Sequence, residues 1–189
     1  DGVLRSRDAG RTWEPTAPSF EGVPITALAA LGGADGAVVA GSATAGLYRS
    51  PDGGRTWSWA DVGLPRGKGQ TVNVLAVSPA FATDRTIFLA ATSGVWVSRD
   101  AGATWTPTSH RTPTRALAVS PAFATDRTLV AQGQVSTDGG QTWQALAGDP
   151  GVAWSAAAFS ANYATDRTLY FGTDQVDDAH RYGLWRSVD

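Results

Sequence analysis

The 189-residue sequence contains no cysteine, no methionine and only two histidines. Without cysteine the chain cannot form disulfides, zinc–thiolate sites, iron–sulfur clusters or a thiolate nucleophile. A chain that lacks methionine and starts at Asp1 is what we expect of a processed or excised piece of a longer protein. The missing residue types therefore remove several classes of catalytic and metal chemistry.

Net charge and long apolar runs are also scarce. The sequence has 15 Lys and Arg residues against 17 Asp and Glu residues, a net charge of −2, so the basic surface typical of nucleic-acid binding is not expected. No run of eighteen apolar residues and no basic segment followed by an apolar stretch occurs, which predicts neither a membrane span nor a retained signal peptide. No phosphate-binding glycine loop, nucleophile elbow or His-Glu-x-x-His helix occurs either, so no cofactor is expected.

Glycine, proline and tryptophan are abundant instead, with 22, 10 and eight copies. Short runs of Val, Ala, Leu and Thr lie between these turn-forming residues, a pattern that favours many short strands. No window of a dozen residues has a 3.6-residue apolar period bounded by caps, so long helices are not predicted.

One repeated motif has the form Ser-x-Asp-x-Gly-x-Thr-Trp. Complete copies begin at Ser6, Ser50, Ser98 and Ser136, and a fifth begins at Ser187. Ser and Asp side chains bond backbone N–H groups of a turn, Gly supplies a positive φ, and Trp is expected to pack between neighbouring repeats. We therefore predict a structural role for the motif residues, which are Ser6, Asp8, Gly10, Trp13, Ser50, Asp52, Gly54, Trp57, Ser98, Asp100, Gly102, Trp105, Ser136, Asp138, Gly140 and Trp143.

A second motif, Ser-Pro-x-Phe-Ala-Thr-Asp-Arg-Thr, begins at Ser78 and Ser120 and recurs in a looser form at Ser160, at spacings of 42 and 40 residues. Its Asp-Arg pairs follow the first strand of each repeat, at the same end as the first motif. The pattern predicts a turn that locks neighbouring repeats together. Bidentate ion pairs, or a ring of arginines that binds phosphate, are the alternative interpretation.

Each period supports four short strands, shown most clearly by Val72–Val77, Thr86–Ala91, Gly94–Ser98 and Thr104–Thr108. Four-stranded units repeated at this spacing predict an all-β fold, a β-propeller of four-stranded antiparallel blades. About four blades are present, as part of a larger ring or as a ring completed by the chain ends or another copy. Because an open arc exposes apolar end faces, self-association is a further expectation. The prediction is a single propeller domain or propeller fragment over residues 1–189, with units 1–18 (partial), 19–63, 71–109, 113–147 and 152–189 (partial).

The first motif resembles the Asp-box, or BNR repeat, of sialidases, xyloglucan-cleaving glycosidases, sortilin-type receptors and photosystem II assembly-factor propellers. The second motif is similar to one in bacterial Asp-box propellers with many near-identical blades. This resemblance implies a propeller fold, a structural Asp-box turn away from the ligand face, and a bacterial protein located outside the cell or in the cell envelope.

Propellers bind ligands mainly on the face formed by the loops from fourth to first strands and from second to third strands. The loops expected there are Glu14–Pro24, Trp59–Gln70, Ser109–Pro113, Ala147–Gly151 and Asp174–Tyr182. The segment from Asp174 to Tyr182 clusters carboxylates with a histidine, but it lacks the ligand spacing of an EF-hand, so no metal site is predicted. The candidate ligand-binding residues on this face are Arg66, Lys68, His110, Arg111, Asp177, Asp178, His180, Arg181 and Tyr182.

A stiff ring that displays variable loops suits a non-catalytic scaffold that binds a protein or a glycan. The alternative is a glycoside hydrolase of the sialidase or xyloglucanase type, which needs two carboxylates about 5 Å or about 6.5–9.5 Å apart. The sialidase resemblance would also imply three arginines and a tyrosine nucleophile, yet that family's Arg-Ile-Pro element is missing, so the enzyme interpretation is the less favoured one. The acidic residues expected on the ligand face are Glu14, Glu21, Asp61, Asp149, Asp174, Asp177 and Asp178, and the sequence distinguishes no pair among them.

Overall fold

The computed structural model describes residues 2–16, 20, 22–32, 36–65, 70–149, 151–173 and 183–187. In these residues the chain forms short strands arranged in five antiparallel sheets, and the strands of each sheet pair in chain order. We number the sheets as blades 1 to 5 along the chain. Antiparallel pairing in chain order needs only tight turns, which explains the abundance of glycine between the strands.

The strand bounds follow the repeats. Blade 1 contains β1 (Leu4–Arg5) and β2 (Glu14–Pro15), and blade 2 contains β3 (Ile25–Ala30), β4 (Val38–Ser42), β5 (Leu47–Ser50) and β6 (Ser58–Trp59). Blade 3 contains β7 (Val72–Val77), β8 (Ile87–Ala91), β9 (Gly94–Ser98) and β10 (Thr106–Pro107). Blade 4 contains β11 (Leu117–Val119), β12 (Leu129–Ala131), β13 (Gln134–Ser136) and β14 (Gln144–Ala145). Blade 5 contains β15 (Ala156–Phe159), β16 (Leu169–Thr173) and β17 (Gly183–Ser187).

The antiparallel order separates the connections into two ends. The loops between first and second strands and between third and fourth strands lie at one end, which we call the turn end. The loops between second and third strands and the connections between blades lie at the other, which we call the loop face.

Apolar clusters fill the junctions between neighbouring blades. At the junction of blades 2 and 3, Val39 and Leu47 pack with Ile87, Leu89 and Trp105. Similar clusters join blades 1 and 2, blades 3 and 4, and blades 4 and 5. Strand β8 in blade 3 is buried along its whole length, because it has a neighbouring blade on each face. Each sheet therefore buries apolar residues against its neighbours, and blades 2 to 4 do so on both faces.

The second motif forms a single helical turn where the sequence predicted only a turn. The helical turns are α1 (Phe81–Asp84), α2 (Phe123–Asp126) and α3 (Tyr163–Asp166). In the first, the Asp84 carboxylate accepts hydrogen bonds from the Ser78 hydroxyl at 2.6 Å and from the Thr86 N–H at 2.9 Å. Arg85 ends the turn in the left-handed region, with φ 53°.

The Asp-Arg motif joins two turns of one blade rather than forming an ion pair. The Arg85 carbonyl accepts a hydrogen bond from the Ala101 N–H at 3.0 Å, and Arg127 and Gly139 repeat this bond in blade 4. Among the described residues the charged pairs within 4.0 Å are those of Glu14 with Arg5 and Arg7. This hydrogen bond lies inside blades 3 and 4, whereas the motif's Phe123 packs on Phe88 of the preceding blade and so joins neighbouring repeats.

Candidate functional site

The first motif forms the same hydrogen-bonded turn in blades 1 to 4, between the third and fourth strands. In blade 1 these two strands are β1 and β2. In blade 2 the Ser50 hydroxyl donates to Asp52 at 2.9 Å and accepts from the Gly54 N–H at 2.7 Å. The Asp52 carboxylate also accepts from the Thr56 N–H at 2.9 Å and from the Thr56 hydroxyl at 2.7 Å. Both oxygens of the carboxylate are thus bound inside the turn.

These hydrogen bonds change the acidity of the motif aspartates. The bonds from the backbone and hydroxyl of Thr56 lower the pKa of Asp52 to about 2, because they favour the charged carboxylate. In blade 1 the bonds from Thr12 lower the pKa of Asp8 to about 2 in the same way. Aspartates held ionised within their own turn are poor general acids, which supports the predicted structural role.

The motif tryptophans do not all occupy the expected place between blades. The Trp105 side chain is 2% exposed and donates from Nε1 to the Ala60 carbonyl of blade 2 at 2.9 Å. Trp57 and Trp143 are half-buried, and each donates to the motif glycine carbonyl of its own turn. The expectation of burial is wrong for Trp13, which is 61% exposed. No blade lies against the Trp13 side of blade 1 in the described structure.

Sequence analysis missed a set of arginines that join consecutive blades at the turn end. Arg5 donates to the Gly53 carbonyl at 2.6 Å, and Arg49 donates to the Ala101 carbonyl at 3.1 Å. Each arginine directly precedes the motif serine of its blade, and each acceptor lies three residues after the motif serine of the next blade. The position of arginine before the motif is the sequence feature that could have indicated this contact.

Two of the nine candidate ligand-binding residues lie in the described part of the chain. His110 and Arg111 lie in the connection between blades 3 and 4, on the loop face. Arg111 is exposed, with its guanidinium carbon 5.8 Å from the centre of the Trp96 ring. Arg66, Lys68, Asp177, Asp178, His180, Arg181 and Tyr182 fall outside the described residues, and their role stays a prediction.

His110 is buried and fully engaged with neighbouring side chains. Its Nδ1 lies 2.7 Å from Gln134 Oε1, and its Nε2 lies 2.9 Å from the Thr114 hydroxyl oxygen. Burial lowers the pKa of His110 below its ordinary value, although the hydrogen bond to Gln134 opposes this effect. A role of His110 in direct ligand contact stays a prediction, and its surroundings show that it also ties blade 3 to blade 4.

A cavity of about 360 Å³ opens on the loop face between blades 2 and 3. Its deep surface is apolar and includes Val72, Leu89 and Ala91, all of them buried. Its remaining lining comes from the predicted connection Trp59–Gln70 and from the turns that join second and third strands: Thr44, Ala45, Gly46, Trp59, Asp61, Leu64, Pro65, Gln70 and Ser93. An apolar concavity bordered by a few polar groups is the usual form of a small-ligand site.

Trp59 presents an aromatic surface at this cavity. Its side chain is 60% exposed, while its ring stacks on Tyr48 with centroids 4.5 Å apart and 30° between the planes. Gly46 lies beside it, and a Cβ there would come within 3.7 Å of the Trp59 ring. Burial and the charge of Asp61 raise the pKa of Tyr48, so this phenol stays neutral beneath the tryptophan. The stack holds Trp59 in one orientation against the cavity.

The acidic candidates for glycoside hydrolysis lie in separate surroundings. Asp61 is the one carboxylate among the described residues that line the cavity. Glu14 lies in β2 rather than in a loop, where it binds Arg5 at 2.6 Å. Asp149 accepts a hydrogen bond from Trp154 Nε1 at 3.1 Å. Glu21, Asp174, Asp177 and Asp178 fall outside the described residues.

The described residues include no cluster of three or more His, Asp or Glu side chains that could hold a metal ion. Nor do those residues contain a helix long and apolar enough to cross a membrane.

Residues 134–145, from the third strand of blade 4 to its fourth, match the family model described as BNR/Asp-box repeat. Among solved structures, the GH74 xyloglucanase from Xanthomonas campestris is 21% identical with a TM-score of 0.68, and the match covers 98% of this chain and 32% of that one. An ancestral GH74 enzyme is 20% identical with a TM-score of 0.73, covering 100% of this chain and 27% of that one. The chain carries an Asp-box repeat in a β-propeller fold.

YCF48 bound to D1 peptide is a further structural match to this Asp-box propeller chain, with 15% identity, a TM-score of 0.63, and coverage of 99% of this chain and 63% of that one. The chain spans roughly a quarter to a third of the length of the two GH74 structures, which are 32% and 27% covered. No curated protein matches the sequence. The structural likeness confirms the predicted all-β propeller architecture.

Proposed function

We propose that this chain is a non-catalytic Asp-box propeller scaffold that binds a glycan or protein partner on its loop face. The observation that carries the proposal is the cavity of about 360 Å³ between blades 2 and 3, with Trp59 exposed at its edge. The strands of blade 3 fix the apolar floor of the cavity before a ligand arrives, so little conformational entropy is lost there on binding.

The chemistry of the cavity favours a glycan over a protein segment. A flat aromatic ring binds the apolar face of a sugar, and the hydroxyl and amide groups of Thr44, Ser93 and Gln70 border the same space. A cavity of this volume accommodates a few sugar units, whereas a protein partner would also need the surrounding loops. Protein binding is supported separately by the structural match whose partner is the D1 peptide.

A glycoside hydrolase is the second candidate, supported by the GH74 enzymes among the structural matches. Hydrolysis of a glycosidic bond needs two carboxyl groups, one on each side of the bond. Among the described lining residues the cavity supplies Asp61 alone. The binding function therefore agrees better with this site than the catalytic one.

We also propose an extracellular or cell-envelope location, as the Asp-box resemblance implies.

Calorimetric titration with a xyloglucan oligosaccharide tests the proposal. We expect binding by the intact protein and a loss of affinity of about 5- to 30-fold in Trp59→Ala, because one stacked ring contributes on the order of 1–2 kcal/mol. Trp13→Ala is the matched control, since Trp13 is equally exposed but lies on blade 1. Equal affinities of Trp59→Ala and the intact protein would contradict the assigned cavity.

Release of new reducing ends from the same oligosaccharide would establish the hydrolase instead. Protein partners are tested by measuring the binding of a panel of synthetic peptides to the immobilised chain. The binding is compared between the intact protein and Trp59→Ala. Peptide binding without oligosaccharide binding would assign the cavity to a protein partner.

A further inference from the structure

The glycine at the start of the third strand is covered differently in blades 2, 3 and 4. A Cβ on Gly94 in blade 3 would overlap with the His110 carbonyl oxygen. A Cβ on Gly133 in blade 4 would overlap with the Asp149 carboxylate. In both blades the connection to the next blade therefore lies directly on the glycine. Around Gly46 in blade 2 a Cβ would have its nearest contacts at 3.7 Å and 3.8 Å, both with side-chain atoms. Blade 2 thus leaves space where the other two blades are filled.

The connection that follows blade 2 is held by blade 3 at this point. The Trp105 N–H donates to the Val62 carbonyl at 2.8 Å, and Trp105 Nε1 donates to the Ala60 carbonyl at 2.9 Å. Leu64 packs against the apolar cluster of the same junction. These contacts fix residues 60–64 on blade 3, so the wall that this segment gives to the cavity is formed before a ligand binds.

Apolar side chains form the deep part of the cavity. Val72 in β7 and Ala91 in β8 line it and are 2% and 3% exposed, and half-buried Leu64 adds a third apolar side chain. A ligand hydroxyl placed against these side chains would lose its hydrogen bonds to water, whereas a methyl group would gain from burial. The ligand that fits the deep part therefore carries an apolar group.

Two half-buried polar side chains that line the same cavity can donate hydrogen bonds. The Ser93 hydroxyl oxygen accepts from Trp96 Nε1 at 2.9 Å, which leaves the hydroxyl hydrogen for another acceptor. The Gln70 Oε1 atom accepts from the Thr92 hydroxyl at 3.3 Å, which orients the amide and leaves its NH2 group as a donor. A carbonyl oxygen close to the apolar group of the ligand would match these donors.

The acetamido group of an N-acetylhexosamine combines a methyl group with a carbonyl group, on a sugar ring that can stack on Trp59. We propose that the cavity between blades 2 and 3 selects a glycan that contains N-acetylhexosamine. The acetamido methyl group lies against Val72 and Ala91, and the acetamido carbonyl accepts a hydrogen bond from Ser93. This inference rests on the proposed function, because it specifies which glycan occupies the cavity.

Calorimetric titration with three trisaccharides that share one β-1,4-linked backbone tests the proposal. At the second carbon of each sugar, triacetylchitotriose carries an acetamido group, cellotriose a hydroxyl group and chitotriose a free amine. We expect the intact protein to bind triacetylchitotriose about 5- to 30-fold more tightly than either of the others, because only this ligand buries a methyl group beside a paired carbonyl. Equal affinities for triacetylchitotriose and cellotriose, or equal or tighter binding of chitotriose, would overturn the proposal.

Replacing Ser93 by Ala tests the assigned carbonyl contact. Ser93→Ala should lower the affinity for triacetylchitotriose about 2- to 10-fold and leave the affinity for cellotriose unchanged. Ser58→Ala is the matched control, because Ser58 is an exposed serine next to Trp59 in β6 but is not one of the described lining residues. Thermal unfolding shows whether each variant is folded. The comparison of ligands uses the intact protein, so it decides the proposal even if Ser93→Ala is unstable.

Trp59→Ala separates this proposal from the proposed function. It should weaken the binding of triacetylchitotriose and cellotriose alike, whereas Ser93→Ala should change the ratio of the two affinities. Equal affinities for the two trisaccharides, both reduced in Trp59→Ala, would overturn the acetamido assignment and leave the cavity as a glycan site. Binding of the xyloglucan oligosaccharide without binding of triacetylchitotriose would do the same. Absence of binding by every one of these glycans would contradict both proposals.

Discussion

At the scale of single residues, the Asp-box shows how one carboxylate organises a turn. Asp100 accepts hydrogen bonds from the Ser98 hydroxyl at 2.7 Å and the Thr104 N–H at 2.9 Å, and it repeats the contacts of Asp52. The geometry accounts for the regular recurrence of Ser, Asp and Thr at these positions. It also shows that this carboxylate acts on the backbone of its own turn, at the end of the blade away from the cavity.

Replacing Asp100 by Ala should lower the stability of the chain by about 1–2 kcal/mol, because the Thr104 N–H and two hydroxyl groups lose their acceptor. For a chain of this size that corresponds to a drop in Tm of about 2–8 °C by calorimetry. Asp100→Asn keeps one acceptor oxygen and should lose less. An unchanged Tm in Asp100→Ala, or a loss of oligosaccharide affinity in a folded variant, would contradict the structural role.

The titrating residues predict two separate losses of stability on acidification. Burial lowers the pKa of His110, so the unfolded state takes up its proton first and stability falls as the pH drops below about 6.5. Asp52, with a pKa of about 2 in the fold, contributes stability above the unfolded value of about 3.9 that is lost as the pH falls toward 2. Urea unfolding at a series of pH values between 8 and 2 measures both losses of stability. His110→Gln should remove the upper loss, whereas the control His180→Gln should keep it.

At the scale of strands and loops, the sequence predicts most of what depends on local residue order. Val72–Val77 and Gly94–Ser98 have the predicted bounds, because their apolar runs end at turn residues. The fourth strand of blade 3 is shorter than the predicted Thr104–Thr108, since its first residues belong to the Asp-box turn. The cavity at Trp59 could not be predicted in this way, because its walls come from two blades.

The connection between blades 2 and 3 depends on a glycine in close contact with the next blade. Gly63 has φ 94°, and a Cβ there would lie 2.1 Å from the Trp105 carbonyl oxygen. Gly63→Ala should therefore destabilise the chain by several kcal/mol, since backbone of two blades must separate. Gly148→Ala is the matched control, because Gly148 has φ 76° with no atom within 4 Å of the new Cβ. Denaturant unfolding should show a clearly larger loss for Gly63→Ala, and equal losses would refute the close contact.

At the scale of the whole molecule, burial is greatest in the middle blades and smallest at the ends. All five residues of β8 are buried, whereas β15 in blade 5 alternates between exposed and half-buried residues. Apolar packing on both faces protects a strand from local opening. Each blade therefore depends on its neighbours for the burial of its apolar faces.

Hydrogen exchange should follow this gradient. The amides of β8 are expected to exchange most slowly, and those of β1 and β15 at least tenfold faster. Mass spectrometry of exchanged peptides measures the order. If the amides of the end blades were as protected as those of β8, the blades would not depend on their neighbours for stability.

The arginine bonds between neighbouring turns also bear on how such a protein changes its size during evolution. Each donor and its acceptor belong to adjacent repeats, as Arg5 and Gly53 do. Duplication or deletion of a whole repeat, such as the 42-residue period between Ser78 and Ser120, would leave neighbouring repeats to meet through equivalent surfaces. Unequal recombination between repeats would therefore give proteins that still fold. Such proteins would contain more or fewer repeats, with each junction between neighbouring repeats preserved.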